Sequence, residues 1–433
     1  MVEKFDAIVV GAGPSGNAAA YTLAKAGLNV LQLERGEYPG AKNVQGGIMY
    51  SSELEKIIPD FREDCPTERH IIEQRIWLLG DDSYIGTNYR SEAFNNDAPN
   101  RYTIIRANID KWWGEKIRAA GALQICETTV TELIRDEAGR VIGVRTDRVG
   151  GEVHADVVVM ADGVNAILSK RAGLQTEAKP EHVALAVKEI MFIDPQLIEQ
   201  RFGIKDDEGV VIEIMGKVTK GMVGTAFLYT NKESLTIGIG CLVSDFKTGQ
   251  IPPYKMLEDL KNHPVIKPLV ENAEMKEYAA HLIPEGGYKA VPQLYGDGWM
   301  VVGDAAHFNN AAHREGSNLA MASGRMAAET IIELKRSGRP MTTANLAAYK
   351  TKLDDSFIMK DLKKYRNLPG IMHGNKQFFT AYPDLLNGAA HHLFTVDSVD
   401  KLTKEKEIMK SFAKKRSVMG LVGDAFKLVR AFR

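Results

Sequence analysis

The sequence predicts an α/β protein with a buried parallel sheet near its N-terminus, and three features of residues 5–34 support this prediction. Residues 5–10 form a short apolar run rich in β-branched side chains, as expected of a buried parallel strand. Residues 17–26 are rich in alanine and predict a helix, which Gly27 can end. Residues 29–34 predict a second strand, so that the whole segment forms a βαβ unit.

The turn between the first strand and the helix is Gly11-Ala-Gly13-Pro-Ser-Gly16, which has the glycine spacing of a dinucleotide-binding fingerprint. Gly11 permits a tight turn, Gly13 lets the backbone approach a pyrophosphate, and Gly16 lets the helix pack closely on the strand. The positive end of the helix then faces the phosphates. Glu34 ends the second strand, where a carboxylate can accept hydrogen bonds from ribose hydroxyls. The pattern predicts a Rossmann-type dinucleotide site.

Two segments near residue 300 indicate that the dinucleotide is FAD. Residues 299–302 predict a strand that runs into Gly303-Asp304, where a carboxylate can bind the ribityl chain of a flavin. A predicted helix begins at Gly316, and its N-terminal amides would stabilise negative charge on a reduced flavin ring. An N-terminal fingerprint whose second half comes hundreds of residues later is the arrangement of FAD proteins.

Two further features of the first 175 residues fit a nucleotide site. Arg106 precedes a predicted helix, where its cation can meet a phosphate, and residues 155–160 predict a buried strand that runs into Ala161-Asp-Gly163. An ordinary surface turn is the alternative interpretation of each.

The chain divides into four predicted segments. Residues 1–175 form the first part of an FAD-binding domain and residues 299–340 its second part. Residues 176–298 form an antiparallel-sheet substrate domain, because residues 182–243 contain β-type runs separated by turn residues. Residues 341–433 form a helical C-terminal region with a basic amphipathic tail.

Composition excludes several classes of protein. The 433 residues include 55 Lys or Arg and 56 Asp or Glu, a balance that argues against a nucleic-acid partner. The three cysteines are far apart in sequence, which predicts a reducing compartment, no disulfide framework and no metal or cluster held by this chain alone. The first residues do not resemble a signal peptide, and no apolar run approaches the roughly 18 residues that a transmembrane helix needs.

Taken together, these motifs resemble the flavoprotein class of p-hydroxybenzoate hydroxylase and geranylgeranyl reductase. Residues 42–47, Lys-Asn-Val-Gln-Gly-Gly, and residues 313–318, His-Arg-Glu-Gly-Ser-Asn, resemble the FixC flavoproteins of the FixABCX and EtfABCX complexes. Residues 284–288, Pro-Glu-Gly-Gly-Tyr, with residues 291–294, resemble the quinone-contacting segment of electron-transfer-flavoprotein:quinone oxidoreductase. The similarity covers essentially the whole chain.

The resemblance implies an oxidoreductase that is the FAD-containing subunit of an electron-bifurcating complex and passes electrons from electron transfer flavoprotein to membrane quinone. The implied partners are the α and β subunits of electron transfer flavoprotein. The single-chain quinone oxidoreductase carries cluster-ligating cysteines that this chain lacks, so a separate ferredoxin-like subunit of the FixX or EtfX type is implied as well. The implied location is the cytoplasm, peripheral on the inner face of the cytoplasmic membrane.

The resemblance also implies site residues, although it assigns no catalytic residue. The implied FAD contacts are Gly11, Gly13, Ser15, Gly16, Glu34, Val44, Gln45, Gly47, Arg106, Val130, Asp304, Gly316 and Ser317. Gly286 and Gly287 match quinone contacts, and Tyr288 is a candidate to line the quinone pocket. The candidates for tuning the flavin or relaying protons are His307, His313, Arg314 and Glu315. These four residues could equally brace the loop before the Gly316 helix.

Three other functions remain open at this point. An aromatic hydroxylase of the same fold is one, although Ala166 stands where those enzymes usually have serine. A geranylgeranyl-type prenyl reductase is the second, although the segment before Gly47 differs from the archaeal pattern. The third is a docking subunit that binds FAD without catalysing a reaction.

The C-terminal tail carries a local positive charge. Residues 404–433 contain nine Lys or Arg and three acids, which gives 9 − 3 = +6. Apolar residues recur there at helical spacing and form one stripe: Val418, Leu421, Val422, Ala425, Phe426, Val429 and Phe432. The tail therefore predicts a basic amphipathic helix that contacts an anionic membrane. The alternative is that the helix packs on its own domain or on the ferredoxin-like partner.

Overall fold

A computed structural model of the protein describes residues 4–42 and 46–432. The strands are β1 (Lys4–Val10), β2 (Val30–Leu33), β3 (Gly46–Tyr50), β4 (His70–Leu79), β5 (Tyr84–Arg90), β6 (Arg101–Ile105), β7 (Leu123–Ile125), β8 (Val130–Arg135), β9 (Val141–Thr146), β10 (Glu152–Met160), β11 (Val183–Phe192), β12 (Glu208–Gly216), β13 (Gly224–Thr230), β14 (Ser234–Leu242), β15 (Glu274–Pro284), β16 (Tyr295–Gly296) and β17 (Trp299–Val301). The helices are α1 (Pro14–Lys25), α2 (Ser51–Ile57), α3 (Arg106–Ala119), α4 (Ile167–Arg171), α5 (Pro195–Phe202), α6 (Val243–Gly249), α7 (Pro253–Asn262), α8 (Lys267–Val270), α9 (Ser317–Arg336), α10 (Thr343–Asp355), α11 (Phe357–Lys364), α12 (Leu368–His373), α13 (Ala381–Phe394), α14 (Lys401–Lys415) and α15 (Val418–Ala431).

The chain forms two compact units. The first unit comprises Met1–Glu68, Asn100–Val183 and Leu282–Lys363, and the second comprises Arg69–Pro99, Ala184–His281 and Lys364–Arg433. Residues 282–298, which the sequence assigned to the substrate domain, lie in the first unit. Residues 69–99, which the sequence assigned to the FAD-binding domain, lie in the second unit. Residues 69–99 belong to the second unit because β4 pairs in parallel with β12 over its whole length, although the two strands are far apart in the sequence.

The first unit is built on a mostly parallel sheet in the order β16-β17-β10-β1-β2-β7. Strand β1 pairs in parallel with β10 on one side and β2 on the other, as the βαβ prediction requires. Both of its faces are covered, and its central residues Ile8 and Val9 are fully buried. The short strands β3 and β6 pair antiparallel in the same unit.

The second unit contains the predicted antiparallel sheet. Within it the strand order is β15-β11-β14-β13-β12-β4-β5, and only the β12–β4 pair is parallel among the registers described. Side chains of β12 and β14, such as Val210, Ile212 and Ile237, are fully buried in its core. The fold class predicted from sequence is confirmed: an α/β flavoprotein fold with an antiparallel sheet and a helical C-terminal region.

The C-terminal region is helical, and α12 to α15 all belong to the second unit. Of the helices in residues 4–42 and 46–432, none combines the length and apolar character needed to cross a bilayer.

Candidate functional site

The glycine turn after β1 contains two residues that could not carry a side chain. Gly11 has φ +106°, and a Cβ there would lie 2.4 Å from the carbonyl oxygen of Ala161. A Cβ on Gly16 would lie 2.1 Å from the carbonyl oxygen of Gly11. Gly11 and Gly16 therefore serve the close packing of α1 against the ends of β1 and β10.

Gly13 has a different environment from the other two glycines. A Cβ at Gly13 would meet no atom within 4 Å, and its backbone is extended rather than left-handed. Gly13 is also the N-cap of α1, which has no side-chain cap and no acidic residue in its first turn. The positive N-terminal end of α1 therefore faces open space at Gly13, and this space fits a pyrophosphate.

Ser15 is buried in the first turn of α1 and touches the second half of the nucleotide site. Gly303 has φ +64°, and a Cβ there would lie 2.4 Å from Ser15 Oγ. The turn Gly303–Ala306, which carries Asp304, therefore lies directly against the start of α1. Two motifs almost 300 residues apart in sequence meet at this point.

Glu34 has a fixed carboxylate at the end of β2. Its Oε2 accepts a hydrogen bond from the backbone N–H of Ala12 (2.9 Å) and its Oε1 one from that of Gly36 (2.7 Å). The backbone carbonyl of Glu34 accepts from the N–H of Thr128 (2.9 Å), which brings the segment before β8 to this edge. Val130, at the start of β8, is half-buried nearby, so Glu34 and Val130 can border the adenosine of a dinucleotide.

Arg106 and Asp304 are electrostatically coupled. Arg106 begins α3, and its Nη2 lies 2.7 Å from Oδ2 of the buried Asp110. Burial raises the pKa of Asp304 to about 6, and the nearby charge of Arg106 opposes this rise. The arrangement brings a cation and a weakly acidic carboxyl to the same part of the site.

The start of α9 is tied to β3. Gly316 is the N-cap and has no side-chain cap, while Ser317 Oγ donates to the carbonyl oxygen of Ile48 (3.0 Å), next to Gly47. Two predicted contacts, Val44 and Gln45, lie outside the described residues. The described part therefore joins three predicted flavin contacts, Gly47, Gly316 and Ser317.

Asp162 adds a polar group that can receive a ligand. Its Oδ2 accepts from the backbone N–H of Leu168 (2.9 Å), whereas its Oδ1 is buried without a hydrogen-bond partner among the described residues. Burial raises the pKa of this carboxyl. An orphaned oxygen next to Ala161, against which Gly11 packs, fits a site that is completed by a polar cofactor.

The four candidates for flavin tuning have different surroundings. His307 is buried with φ +58°, and burial, together with His182 and Lys170, lowers its pKa to about 4. His313 is exposed, and Arg314 has φ +55°. Glu315 Oε2 accepts from Asn318 Nδ2 (3.3 Å), and its backbone pairs with Asn310. Glu315 therefore braces the loop before α9, while His307 remains neutral near pH 7.

The predicted quinone segment forms a tight turn. A Cβ on Gly286 would lie 2.4 Å from the Cβ of Ala290 and 2.9 Å from the Cβ of His182, and Gly287 has φ +58°. Tyr288 lines a cavity of about 380 Å³. The other residues that line it are Val291, Pro292, Gln293, Leu294, Tyr295, Thr343, Lys350 and Met359. Sequence reasoning missed the residues from α10 and α11, because they lie more than 50 positions away from Tyr288.

Sequence reasoning also missed Glu285 and Asn309. Glu285 Oε1 accepts from Asn309 Nδ2 (3.4 Å), and the same Nδ2 donates to the carbonyl oxygen of Pro284 (2.8 Å). Burial raises the pKa of Glu285 to about 7, with Arg314 opposing the rise. Glu285 could have been predicted from the sequence, because it belongs to the same Pro-Glu-Gly-Gly-Tyr segment as the predicted quinone contacts Gly286 and Gly287.

No cluster of three or more potential metal ligands occurs within residues 4–42 and 46–432. The donor set of the site consists of helix ends, glycine backbone and isolated carboxylates, which fits a dinucleotide.

Family models match the chain over most of its length. A model described as an FAD binding domain matches residues 4–352, and one described as the ETF-QO/FixC family C-terminal domain matches residues 368–433.

Individual proteins match as well. The protein FixC of Azorhizobium caulinodans is 60% identical over 433 residues, covering 100% of this chain and 99% of that protein. The probable electron transfer flavoprotein-quinone oxidoreductase YdiS of Escherichia coli is 38% identical over 428 residues, with 98% of each chain covered. The crystal structure of a geranylgeranyl bacteriochlorophyll reductase-like protein from Thermoplasma acidophilum superposes with a TM-score of 0.73 at 20% identity, covering 95% of this chain and 96% of that one.

Proposed function

The chain belongs to the ETF-QO/FixC family of flavoproteins, and on this basis we propose that it is the FAD-containing subunit of an electron-bifurcating electron transfer flavoprotein complex. Membership of the family makes it an FAD-dependent oxidoreductase with a role in electron transfer. In the proposed reaction the chain takes electrons from electron transfer flavoprotein and passes them to a membrane quinone.

FAD supplies the redox chemistry when bound, and the residues of the chain hold and surround it. We propose that the end of α1 at Gly13 binds the pyrophosphate and that Glu34 accepts hydrogen bonds from the adenosine ribose. Asp304 and Arg106 are assigned to the ribityl chain and a phosphate. The positive end of α9 at Gly316 would stabilise negative charge on the reduced ring.

The observation that carries the quinone proposal is the position of Asn309. Its Nδ2 donates to the carbonyl oxygen of Pro284, which begins the proposed quinone segment, at 2.8 Å. Its Oδ1 lies 3.1 Å from the position that a Cβ on Gly316 would take. One buried side chain thus connects the proposed acceptor segment to the proposed flavin end of α9, which supports short-range electron transfer between the two ligands.

The proposed electron donor is a protein. The only dinucleotide fingerprint recognised in the sequence is the one assigned to FAD, so the chain has no evident second site for a nicotinamide. The three cysteines, of which Cys241 is buried, leave an iron–sulfur cluster to a partner of the FixX or EtfX type. We therefore expect the α and β subunits of electron transfer flavoprotein and a ferredoxin-like subunit to co-purify with the native protein.

The exposed face of α15 supports a peripheral position on the inner face of the cytoplasmic membrane. Val418, Val422 and Phe426 are 68%, 66% and 69% exposed, whereas Asp424 on the opposite face is buried. An apolar stripe with basic neighbours can lie among anionic headgroups. Membrane contact would give the protein access to a lipid-soluble quinone.

Oxidation of the reduced flavin by different acceptors tests the proposal. We would photoreduce the FAD-loaded chain and mix it with a short-chain quinone, a prenyl lipid, or O₂ with an aromatic acid. Rapid reoxidation by the quinone alone is expected, together with slow reduction of the isolated chain by NADH. Turnover of the prenyl lipid or the aromatic acid would point to one of the other enzymes of this fold, and no reoxidation by any acceptor would favour a docking role.

A further inference from the structure

Glu285 occupies a distinctive position in the loop that precedes Gly286. Its backbone N–H donates to the carbonyl oxygen of His182 (2.7 Å), which fixes the residue at the start of the turn. Its side chain extends toward Asn309, whose Nδ2 lies 3.4 Å from Oε1. That hydrogen bond is long, so the carboxyl keeps the capacity for a further hydrogen bond to a ligand.

The charged and titratable groups around Glu285 come from three segments. Arg314 belongs to the loop before α9, Asp304 to the turn after β17, and His182 to the segment before β11. Burial raises the pKa of Glu285 to about 7, Arg314 and the Asn309 hydrogen bond oppose this rise, and Asp304 adds to it. Glu285 therefore exchanges a proton near neutral pH, as a proton donor must.

Its titratable neighbours are less suited to that role. His307 has a pKa lowered to about 4 by burial, so it carries no extra proton near pH 7. An arginine such as Arg314 does not release its proton in this range. Asp304 is assigned to the cofactor in the proposed function, which leaves Glu285 as the carboxyl beside the acceptor segment.

We propose that the Glu285 carboxyl delivers a proton to the quinone as it is reduced. This inference rests on the proposed quinone reductase function. Reduction of a quinone to a quinol takes up two electrons and two protons. FAD, when bound and reduced, would supply both electrons and one proton, and the second proton passes from Glu285 to a quinone oxygen. The O–H bond of the carboxyl breaks, the quinol O–H bond forms, and solvent returns a proton to the carboxylate.

Substitution of Glu285 in the full-length, FAD-loaded chain tests the inference. Glu285→Gln keeps the shape of the side chain but removes its proton, Glu285→Asp keeps a titratable group, and Glu274→Gln alters an exposed carboxylate as a matched control. Flavin content and the visible spectrum report whether each variant folds. Reoxidation of the photoreduced flavin by a short-chain quinone is then followed by stopped flow from pH 5 to 9.

For the wild type and Glu274→Gln, the rate constant should fall as the pH rises through about 7, because the donor loses its proton. For Glu285→Gln the rate constant at pH 6 should be about 100-fold lower and its fall near pH 7 should vanish, with partial recovery in Glu285→Asp. Infrared titration of the oxidised proteins gives a readout independent of activity. The carboxyl C=O stretch that disappears near pH 7 should be missing in Glu285→Gln.

A wild-type chain that reduces quinone, together with Glu285→Gln of unchanged rate and pH profile, would overturn this inference and leave the proposed function intact. An infrared titration unaltered by Glu285→Gln would also overturn it. A wild-type flavin that no quinone reoxidises would overturn the proposed function, and this inference with it.

Discussion

Glu285 in the first unit and Asp424 in the second are both shielded carboxyl groups, yet their hydrogen-bond partners differ. Glu285 accepts one long bond from Asn309, and burial raises its pKa to about 7. Burial also acts to raise the pKa of Asp424, but hydrogen bonds from Arg416 and Tyr382, among others, outweigh it and lower the pKa to about 2. The carboxyl of Glu285 can therefore make a further hydrogen bond, whereas the oxygens of Asp424 already have hydrogen-bond partners within the protein.

The difference extends beyond these two residues. In the first unit Asp304 and Asp162 also have raised pKa values, and one oxygen of Asp162 has no partner among the described residues. In the second unit the buried guanidinium of Arg69 donates to several backbone carbonyls. A buried polar group without a hydrogen-bond partner lowers the stability of the fold, so such groups are expected where a ligand supplies the missing hydrogen bond. Buried polar groups whose hydrogen bonds are all made within the protein stabilise the fold instead. The following substitutions test this distinction.

The largest effect is expected from Arg69→Ala. The guanidinium donates to the carbonyl oxygens of Asn231 (2.8 Å), Glu208 (3.2 Å) and Lys232 (3.3 Å). Its removal leaves these acceptors without their donor and opens a cavity, so we expect the free energy of unfolding to fall by about 3–5 kcal/mol in urea titrations. Arg145→Ala, at an exposed arginine with two surface ion pairs, should cost less than about 1 kcal/mol. Equal losses for the two variants would contradict the distinction.

Substitutions of two glycines in the nucleotide turn distinguish a role in packing from a role in FAD binding. Gly16→Ala places a Cβ 2.1 Å from the carbonyl oxygen of Gly11, so we expect a loss of about 2–4 kcal/mol in the stability of the apoprotein. Gly13→Ala meets no atom within 4 Å, so apoprotein stability should change by less than about 1 kcal/mol. Its methyl group instead occupies the space assigned to the pyrophosphate, and FAD affinity, measured by fluorescence titration, should fall at least tenfold. Intact FAD affinity in Gly13→Ala would place the pyrophosphate elsewhere.

The pH dependence of stability tests whether Asp424 holds the fold together. Its pKa of about 2 lies below the value of the unfolded chain, so its stabilising effect is present above about pH 4 and is lost as the pH falls toward 2. Asp424→Asn should therefore lower stability by about 1–2 kcal/mol at pH 7, and the difference from wild type should shrink below pH 4. Hydrogen exchange in α15 measures the effect locally. Glu405→Gln on the exposed side of α14 is the control and should show no such pH-dependent difference.

The smallest effect is expected at the exposed face of α15, where apolar side chains of the second unit are exposed. Val422→Ser combined with Phe426→Ser leaves Asp424 intact and should weaken binding to vesicles that contain anionic lipid by about 1 kcal/mol or more. Flotation assays measure this, with Val149→Ser, at a more exposed apolar residue of the first unit, as the control. Unchanged flotation of the double variant would remove the membrane role. Loss of a co-purifying subunit with lipid binding intact would assign the face to that partner.

The N-terminal half of the nucleotide site could be predicted because its constraints are local. Gly16 packs against the backbone of Gly11 within a single βαβ unit, Gly11 has a positive φ that favours glycine, and Glu34 follows the second strand of that unit. The antiparallel sheet could also be predicted, since its hairpins join neighbouring strands. Residues 69–99 could not be assigned correctly, because β4 pairs with β12, more than 130 residues later.

The class of fold, the nucleotide turn and the family could be predicted from short segments, because alternating or helical periodicity and the need for glycine are local properties. Which of these segments meet depends on the tertiary structure. It joined Ser15 to the Gly303 turn and placed Asn309 between Pro284 and Gly316. Tertiary structure also decided the protonation of Glu285 and Asp424, since a pKa depends on burial and on partners that distant parts of the chain supply.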